Sequence, residues 1–124
     1  MRIRISWPTG AITGYLNDTH TGQQLVKLLP VSSVAQTWGA EVYFSVPLKT
    51  PLDDAPKQVV DPGTICFWVQ GSAVAIPYGP TPVSVGNECR LVTAVNVIGK
   101  LDGEPCMLAA IQEGDTITLE AVEA

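Results

Sequence analysis

The chain has 124 residues, the length of one ordinary domain, and we expect residues 1–124 to fold as a single domain. Hydrophobic residues make up 46% of the chain and charged residues 15%, a composition that excludes a disordered protein and supports a packed core. The net charge of −5, with few and scattered basic residues, argues against a nucleic-acid partner, and no apolar run approaches the ~20 residues that span a bilayer, so no membrane partner is expected either.

The first and last predicted strands have similar alternating patterns. In RIRISW, apolar side chains occupy every second position, and the Pro-Thr-Gly turn after it would return the chain antiparallel. In DTITLEAV, near the end of the chain, the same alternation places apolar residues inward and Glu120 outward. Pairing these two strands would close a sheet and bring Arg2 or Arg4 near Glu120.

Six further strand candidates lie between these two segments. They are AITGYL, SVAQT, AEVYFSV, TICFWV, AVAIPY and LVTAVNVI. Eight short strands in a chain of this length are typical of a β-barrel, and closure removes the sheet edges that would otherwise invite aggregation. The alternation therefore predicts a mainly β fold, a closed antiparallel barrel of eight strands.

Two short α-helices are predicted to cap this barrel. The segment 18–30 spaces three leucines at i, i+3 and i+4 and ends at a proline. Its start is either a capping box formed by Thr21 and Gln24 or an earlier cap at Asp18. The segment 104–114 has a proline suited to a first helical turn and a glycine suited to the exit. Each helix could plug one open end of the barrel.

Two connections are unusually long. One runs from 47 to 63 and contains four prolines, and the other runs from 79 to 90. Loops of this length without structure of their own are uncommon, and they are usually functional or mobile. Both loops are therefore expected to lie beside a site or to move.

The cysteines indicate a reducing compartment. Cys66, Cys89 and Cys106 are odd in number and lack the CxxC spacing of a zinc site. We interpret the cysteines as reduced thiols of a cytoplasmic protein, and we expect two of them to lie in apolar surroundings. The first ten residues are too short and too alternating for a signal peptide. We therefore expect a cytoplasmic location.

No catalytic template is present in the sequence. His20 is the one histidine, and its place at the start of a helix is typical of a solvated polar residue. No Ser-His-Asp or Cys-His motif frames it, and GxSxG, P-loop and GxGxxG motifs are absent. His20 and Asp18 could form half of a metal site, but no second pair follows at ligand spacing. We expect no metal and no cofactor, and the residues assign no catalytic group.

Glu41 and Tyr43 stand out within AEVYFSV. The alternate apolar residues of this strand share one face, which Trp38 joins if the strand is regular that far. Glu41 and Tyr43 take the other face. Either that face is the solvated outside of the barrel, or it is one wall of a groove where Tyr43 packs and Glu41 accepts a hydrogen bond from a ligand.

Most of the aromatic residues lie between positions 38 and 78. In TICFWV, Phe67 and Trp68 point in opposite directions, so one of them faces outward beside the proline-rich loop. That aromatic could bind an apolar peptide or a small ligand, or the 47–63 loop could fold over it. Tyr78 and the Gly-Pro-Thr-Pro turn after it would fix the rim of a site, with the Thr81 hydroxyl as a polar handle.

Five segments follow one another in a characteristic order. They are TGYLNDTHTGQQLVKLLP, TWGAEVYFSVP, GTICFWVQGSAVAIPYGPTPVS, AVNVIGKL and EGDTITL. In this order they closely resemble the small prokaryotic cyclophilin-like family, over roughly residues 14–119. The most specific motifs are Trp38-Gly39 with Glu41 and Tyr43, the GPTP turn, and VNVIGK. The resemblance implies an eight-stranded barrel capped by two helices, which the alternation predicts independently.

The resemblance also implies an activity, whose key residue is missing here. Cyclophilins are peptidyl-prolyl isomerases that direct an arginine at the prolyl nitrogen, which lowers part of the ~18–20 kcal/mol rotation barrier. That arginine stands in a Phe-His-Arg strand motif followed by a Gln-Gly-Gly-Asp stretch, and this chain has neither. Its three arginines are Arg2, Arg4 and Arg90, and the segment 32–45 that should supply one has none.

The missing arginine and the concentrated aromatics favour a binding module. We expect a groove that holds a small molecule or a short proline-containing peptide. Its expected lining is Trp38, Glu41, Tyr43, Trp68, Tyr78 and Thr81. The alternatives are a weak or atypical prolyl isomerase, an acid–base catalyst using Glu41, and a partner domain without chemistry of its own. The sequence leaves the ligand and the oligomeric state open.

Overall fold

The computed structural model describes residues 1–122, which form ten β-strands, one α-helix and one 3₁₀ helix. The strands are β1 (Arg2–Trp7), β2 (Gly10–Leu16), β3 (Val31–Val34), β4 (Gln36–Thr37), β5 (Glu41–Ser45), β6 (Lys57–Val60), β7 (Thr64–Trp68), β8 (Ala73–Pro77), β9 (Cys89–Leu101) and β10 (Thr116–Ala121). Helix α1 spans His20–Val26, and the 3₁₀ helix spans Pro105–Ala110. Neither of these two helices has the length and apolarity to cross a membrane.

The sheet closes on itself through the segment predicted as the single strand SVAQT. The strand order is β3-β10-β1-β2-β9-β7-β8-β5-β4, so β3 and β4 stand at its two ends. In the chain, however, they are neighbours separated by Ala35 alone. If β3 and β4 are counted together as one bent strand, eight strands surround a nearly closed antiparallel barrel. This confirms the predicted fold class. β6 lies off this path and pairs with β9.

The first and last strands pair as the sequence predicts. β1 and β10 are antiparallel, with Ile5 opposite Leu119 and Arg4 opposite Glu120. The apolar side chains of this pair enter the core, while an Arg4 nitrogen lies 3.0 Å from a Glu120 carboxylate oxygen on the outside. The alternation of RIRISW and DTITLEAV thus fixes both which strands meet and which face is wet.

A single apolar core fills the barrel. Its aromatic members include Phe44 and Phe67, both fully buried and contributed by β5 and β7, and Trp7 of β1. Branched aliphatic residues occupy the remaining inward positions, which suits strands because β-branched side chains pack well on a pleated surface. The inward face of each strand is therefore committed to packing, and only the outward face is left for a site.

The helices close the barrel ends with some differences from expectation. The N-cap of α1 is Thr19, whose hydroxyl accepts a hydrogen bond from the Gly22 N–H at 3.2 Å, so both predicted starts were wrong. A threonine at this position satisfies one of the free N–H groups of the first turn. The second helix is 3₁₀ rather than α, and it buries Leu108 with Ile111 just after it.

The 47–63 connection is more ordered than the sequence indicates. It contains β6, and Leu48 enters the barrel core. The buried amide of Asn96 holds it, because its oxygen accepts from the Asp53 N–H at 2.8 Å and its nitrogen donates to the Pro51 carbonyl at 3.1 Å. The segment is therefore pinned to β9 rather than a free loop.

Strand β9 changes partners along its 13 residues, and this change creates the second packed layer. Its first half pairs with β6, where Val60 lies opposite Cys89, and its second half pairs with β7 and β2. Between them the β7–β9 register shifts at Ile65 and Cys66. The first half of β9 thereby lies over the outside of the barrel.

Candidate functional site

A pocket of about 190 Å³ opens on the outer face of the barrel, where the first half of β9 faces β5, β7 and β8. Its lining is Trp38, Glu41, Tyr43, Trp68, Ala75, Leu91, Val92 and Val95. Four of the six residues predicted from the sequence are among them. Trp38, Glu41, Tyr43 and Trp68 are thus brought together by the fold, although they span thirty residues of chain.

The pocket exists because small side chains stand at the centre of this face. Ala75 on β8 lies opposite Tyr43 on one side and opposite Cys66 on the other. A methyl group between two larger neighbours leaves a depression that the flanking rings border. Below it, Cys66, Ala75, Leu91 and Val95 form a buried cluster separate from the barrel core.

Two aromatic rings form a right-angled corner of the pocket. The centroids of Tyr43 and Trp68 are 6.2 Å apart and their planes are at 88°. The Trp68 ring also lies flat enough on Gly71 that a Cβ added there would sit 2.3 Å from it. Phe67 does enter the core while Trp68 faces outward, as predicted. Val60 of β6 and Trp68 both pack against the buried cluster, and Trp68 keeps a partly exposed ring that borders the pocket.

Trp38 reaches the pocket through a turn rather than a strand. β4 ends at Thr37 and β5 begins at Glu41, so the strand is not regular as far as Trp38, and its side chain does not join the core face. Gly39 has φ +59°, a left-handed conformation that glycine adopts readily. The Trp38 N–H donates to the Glu41 carbonyl at 3.0 Å, which closes the turn.

Glu41 is the one charged residue among the described residues of the lining, and it is 5% exposed. Its Oε1 is shielded from water and has no hydrogen-bond partner in the described part of the chain. Desolvation by burial raises the pKa of Glu41 from 4.5 to about 7. Near neutral pH this carboxyl therefore exists in both its neutral and its charged form.

The titratable neighbours of Glu41 do not offer it a positive charge. Burial raises the pKa of the Cys66 thiol, and the charge of Glu41 raises it further. Burial also raises the pKa of Cys89, with smaller contributions from Asp61 and Glu41. Both thiols are free and neutral, as the apolar setting predicted for two of the cysteines, while Cys106 is exposed. The cytoplasmic location stays a prediction.

Tyr78 and Thr81 lie outside the pocket lining, and they support it instead. Tyr78 packs against the barrel core, and its N–H donates to the Ala40 carbonyl at 2.8 Å. The Thr81 hydroxyl donates to the Arg90 carbonyl, and the Thr81 N–H donates to the Ser84 hydroxyl at 2.9 Å. These bonds tie the Gly-Pro-Thr-Pro turn to the start of β9, and the Thr81 hydroxyl is used within the protein.

Sequence reasoning missed the β9 side of the pocket, which Leu91, Val92 and Val95 provide. Their segment reads as an ordinary apolar strand. The register shift that lifts the first half of β9 over the barrel depends on its pairing with β6, a strand the sequence did not indicate. Ala75 was missed for a similar reason, because a small buried residue gives no signal of the space beside it.

Neither the arginines nor the histidine is among the described residues of the pocket lining. Arg2 pairs with Asp102 at 2.8 Å, and Arg90 pairs with Glu88. His20 is exposed at the start of α1. Within residues 1–122, no group of three or more histidine, cysteine or acidic residues is arranged to hold a metal ion.

Comparison with known proteins identifies a family and similar solved structures. The family model described as "Cyclophilin-like" matches residues 1–120. The solution structure of the hypothetical protein AF2241 from Archaeoglobus fulgidus is similar to this chain with a TM-score of 0.83 and 28% sequence identity, covering 98% of this chain and 95% of that one. No curated protein matches this chain.

Proposed function

This chain belongs to the cyclophilin-like family, and we propose that it is a binding module that holds a small, mainly apolar molecule in the outer-face pocket. The observation that carries this proposal is the buried Oε1 of Glu41, which has no hydrogen-bond partner among the described residues and is set among aromatic and aliphatic walls. A largely apolar pocket with one well-placed polar group is the usual composition of a small-molecule site.

The size of the pocket limits the ligand. A cavity of about 150 Å³ is known to hold benzene, and this pocket measures about 190 Å³. One six-membered ring or a branched alkyl group of similar bulk therefore fits. A longer ligand would place only one such group inside and leave the rest on the rim.

The unpaired oxygen of Glu41 supports binding because it carries an unfavourable free energy in the empty protein. A buried acceptor without a donor costs roughly 1–3 kcal/mol. A ligand that donates a hydrogen bond to Glu41 would remove this penalty on binding. The Trp68 Nε1 is also buried without a partner in the described chain, and relief at either atom would add to the apolar contacts.

Prolyl isomerisation, the alternative that the resemblance implies, gains no support from this pocket. In the described part of the chain, its lining includes no arginine. Arg4 is paired with Glu120, and Arg90 is paired with Glu88. Without a cation at the prolyl nitrogen, no group here would favour the twisted amide over the planar one.

The test uses the three tryptophans as reporters. Phenol, benzyl alcohol, benzamide and benzoate are titrated into ¹⁵N-labelled protein while the indole N–H signals are recorded. Fragments of this size bind with Kd on the order of 1 mM. We expect Trp38 and Trp68 to shift and Trp7, which is buried in the barrel core, to stay unchanged. If no fragment shifts Trp38 or Trp68, the proposal is overturned.

A matched pair of variants locates the binding. Ala75→Leu adds bulk at the centre of the pocket and should abolish the response of Trp68. Ser45→Leu adds similar bulk on the outward face of β5 at an exposed position outside the lining, and should leave the response intact. Equal effects of the two variants would place the ligand elsewhere.

A further inference from the structure

We propose that the pocket selects an organic cation, a compact alkylammonium group enclosed by Trp38, Tyr43 and Trp68 and paired with Glu41. This inference rests on the proposed function and adds to it the charge class of the ligand. It follows from the kind of walls the pocket has, from the charge at its edge, and from its size.

The aromatic walls of the pocket are of the kind that bind organic cations in water. Indole and phenol rings carry negative charge on their faces, so a cation within about 6 Å of a ring centre is attracted to it, most strongly for tryptophan. Tyr43 and Trp68 stand at 88° to each other, and Trp38 is the third aromatic residue of the lining. Because the two rings are perpendicular, a flat ligand ring could stack on at most one of them, whereas attraction to a rounded methylated ammonium group does not require parallel stacking.

Glu41 supplies the full negative charge that such a cation would meet. It is 5% exposed and unpaired at Oε1, and none of the described lining residues is basic. The titratable groups that interact with it from β7 and β9 are Cys66 and Cys89, both neutral thiols, and Asp61 beyond Cys89 is acidic. A buried carboxylate is normally paired with a cation. The described lining provides none, so a cationic ligand would supply the partner that Glu41 lacks in its charged form.

The same charges exclude anions. A ligand carboxylate or phosphate would approach Glu41 without a compensating positive group, and like charges at close range are repelled. The protein as a whole carries a net charge of −5, which favours the approach of cations over that of anions.

The volume and the polar atoms together select a protonated dimethylamino group. About 190 Å³ accommodates a nitrogen with its methyl groups and one or two carbons of its chain. A quaternary ammonium would fill the aromatic walls but has no N–H for Glu41. A protonated tertiary amine has two methyl groups for the rings and one N–H to donate to the carboxylate.

The experiment compares a cation with its neutral carbon analogue of the same shape. Protonated 2-(dimethylamino)ethanol and 3-methyl-1-butanol are titrated into the protein at pH 8, with the indole N–H signals of Trp38 and Trp68 as readout and Trp7 as the internal reference. We expect the cation to bind about tenfold more tightly than the alcohol. Choline and 3,3-dimethyl-1-butanol form a second pair, in which we expect a smaller preference.

Glu41→Gln tests the role of the charge, because it keeps the shape of the side chain. The cation's advantage over the alcohol should fall to within about threefold, while the alcohol binds as before. Glu104→Gln, at an exposed carboxyl outside the lining, is the matched control and should keep the full preference. In the unmodified protein, lowering the pH from 8 to 6 crosses the pKa of about 7 of Glu41 and should weaken binding of the cation alone.

The outcomes separate this inference from the proposed function. If the alcohol and the cation bind equally, or if Glu41→Gln keeps the preference, the cation proposal is overturned while a binding pocket remains. If neither these probes nor the neutral fragments shift Trp38 and Trp68, both proposals are overturned. Shifts that include Trp7 would indicate a non-specific effect and would also count against the inference.

Discussion

The inner and outer faces of β5, β7 and β8 show how one set of strands can build a closed core and an open pocket. On the inside, Phe44 and Phe67 meet branched aliphatic residues and leave the barrel filled. On the outside, the same strands present Ala75 and Cys66 at the centre of the face, with large rings only at its border. The alternation is equally regular on both faces, so periodicity does not distinguish them.

The two faces differ in how densely their side chains pack and in whether their polar groups have hydrogen-bond partners. An interior packed to crystal-like density gains dispersion contacts on every side. The outer cluster gives up some of these contacts, and it keeps a carboxyl group without a hydrogen-bond partner in the described chain. A protein retains such a costly arrangement where it serves binding more often than where it serves packing. Four measurements test this difference between the inner and outer faces.

The largest effect is expected from truncation on the inner face. Phe44→Ala leaves a cavity in a filled core and should lower the free energy of unfolding by about 3–5 kcal/mol. Tyr43→Ala, one residue away on the outer face, should cost about 1–2 kcal/mol because its ring already borders open space. Urea denaturation of both variants measures the difference. Equal losses would mean that the outer face is packed as tightly as the core.

The pH dependence of stability should reveal Glu41. Its pKa is about 7 in the folded protein against an ordinary value of 4.5, so unfolding releases its proton between these values and stability falls as the pH rises through that window. The loss is complete above pH 7 and amounts to about 3 kcal/mol at most.

Glu41→Gln removes this loss, so its stability relative to the unmodified protein should rise by up to about 3 kcal/mol between pH 4 and pH 8. Glu104→Gln, at an exposed carboxyl, is the matched control. Denaturation at both pH values gives the comparison. A constant difference between Glu41→Gln and the unmodified protein would show that Glu41 titrates as an ordinary exposed acid.

Gly71→Ala should disturb the outer face alone. The added Cβ would lie 2.3 Å from the Trp68 ring, so the ring must move, at a cost of about 1–3 kcal/mol. The indole signal of Trp68 should shift while that of Trp7 stays in place. In a Trp68→Ala background the same substitution should cost little, because the clash is gone. An undiminished cost there would point to the backbone of residue 71 instead.

The smallest effect, none at all, is expected on prolyl isomerisation. A labelled Ala-Pro peptide with a substoichiometric amount of the protein should show no cis–trans exchange peaks, since the described pocket lining has no arginine to stabilise the twisted amide. Exchange spectroscopy at short mixing times is the measurement. Exchange peaks would show that the outer face performs catalysis by another group, and Glu41→Gln would then be the first variant to examine.

The sequence predicted the barrel well because the alternation that marks a strand is visible within each segment. The alternation in RIRISW and DTITLEAV requires a buried face on each, and pairing them is the simplest way to close the sheet. It failed at β6, where Lys57–Val60 sits in a proline-rich stretch without an apolar run. It also failed at the N-cap of α1, where the two predicted starts were Thr21 and Asp18 and the structure uses Thr19. Such choices depend on which backbone groups are left unpaired by the rest of the fold.

The candidate site was predicted in part. Glu41, Tyr43 and Trp68 were identifiable because polar or aromatic residues on the outward positions of a strand stand out against the apolar ones. Trp38 was expected on the core face of a regular strand, but it reaches the pocket through a turn. Tyr78 and Thr81 were predicted to form the rim of the site, but hydrogen bonds to Ser84 and to the Arg90 carbonyl occupy Thr81.

The sequence by itself determined which side chains face into the barrel and which face out, because the period of two is a local property of an extended chain. Only the tertiary structure decided that the outward face would be a pocket. That outcome required β9 to change partners and lie over Cys66 and Ala75, and to bury Glu41 without a partner in the described chain. Burial and unpaired charge are relations between distant segments, and a one-dimensional pattern does not contain them.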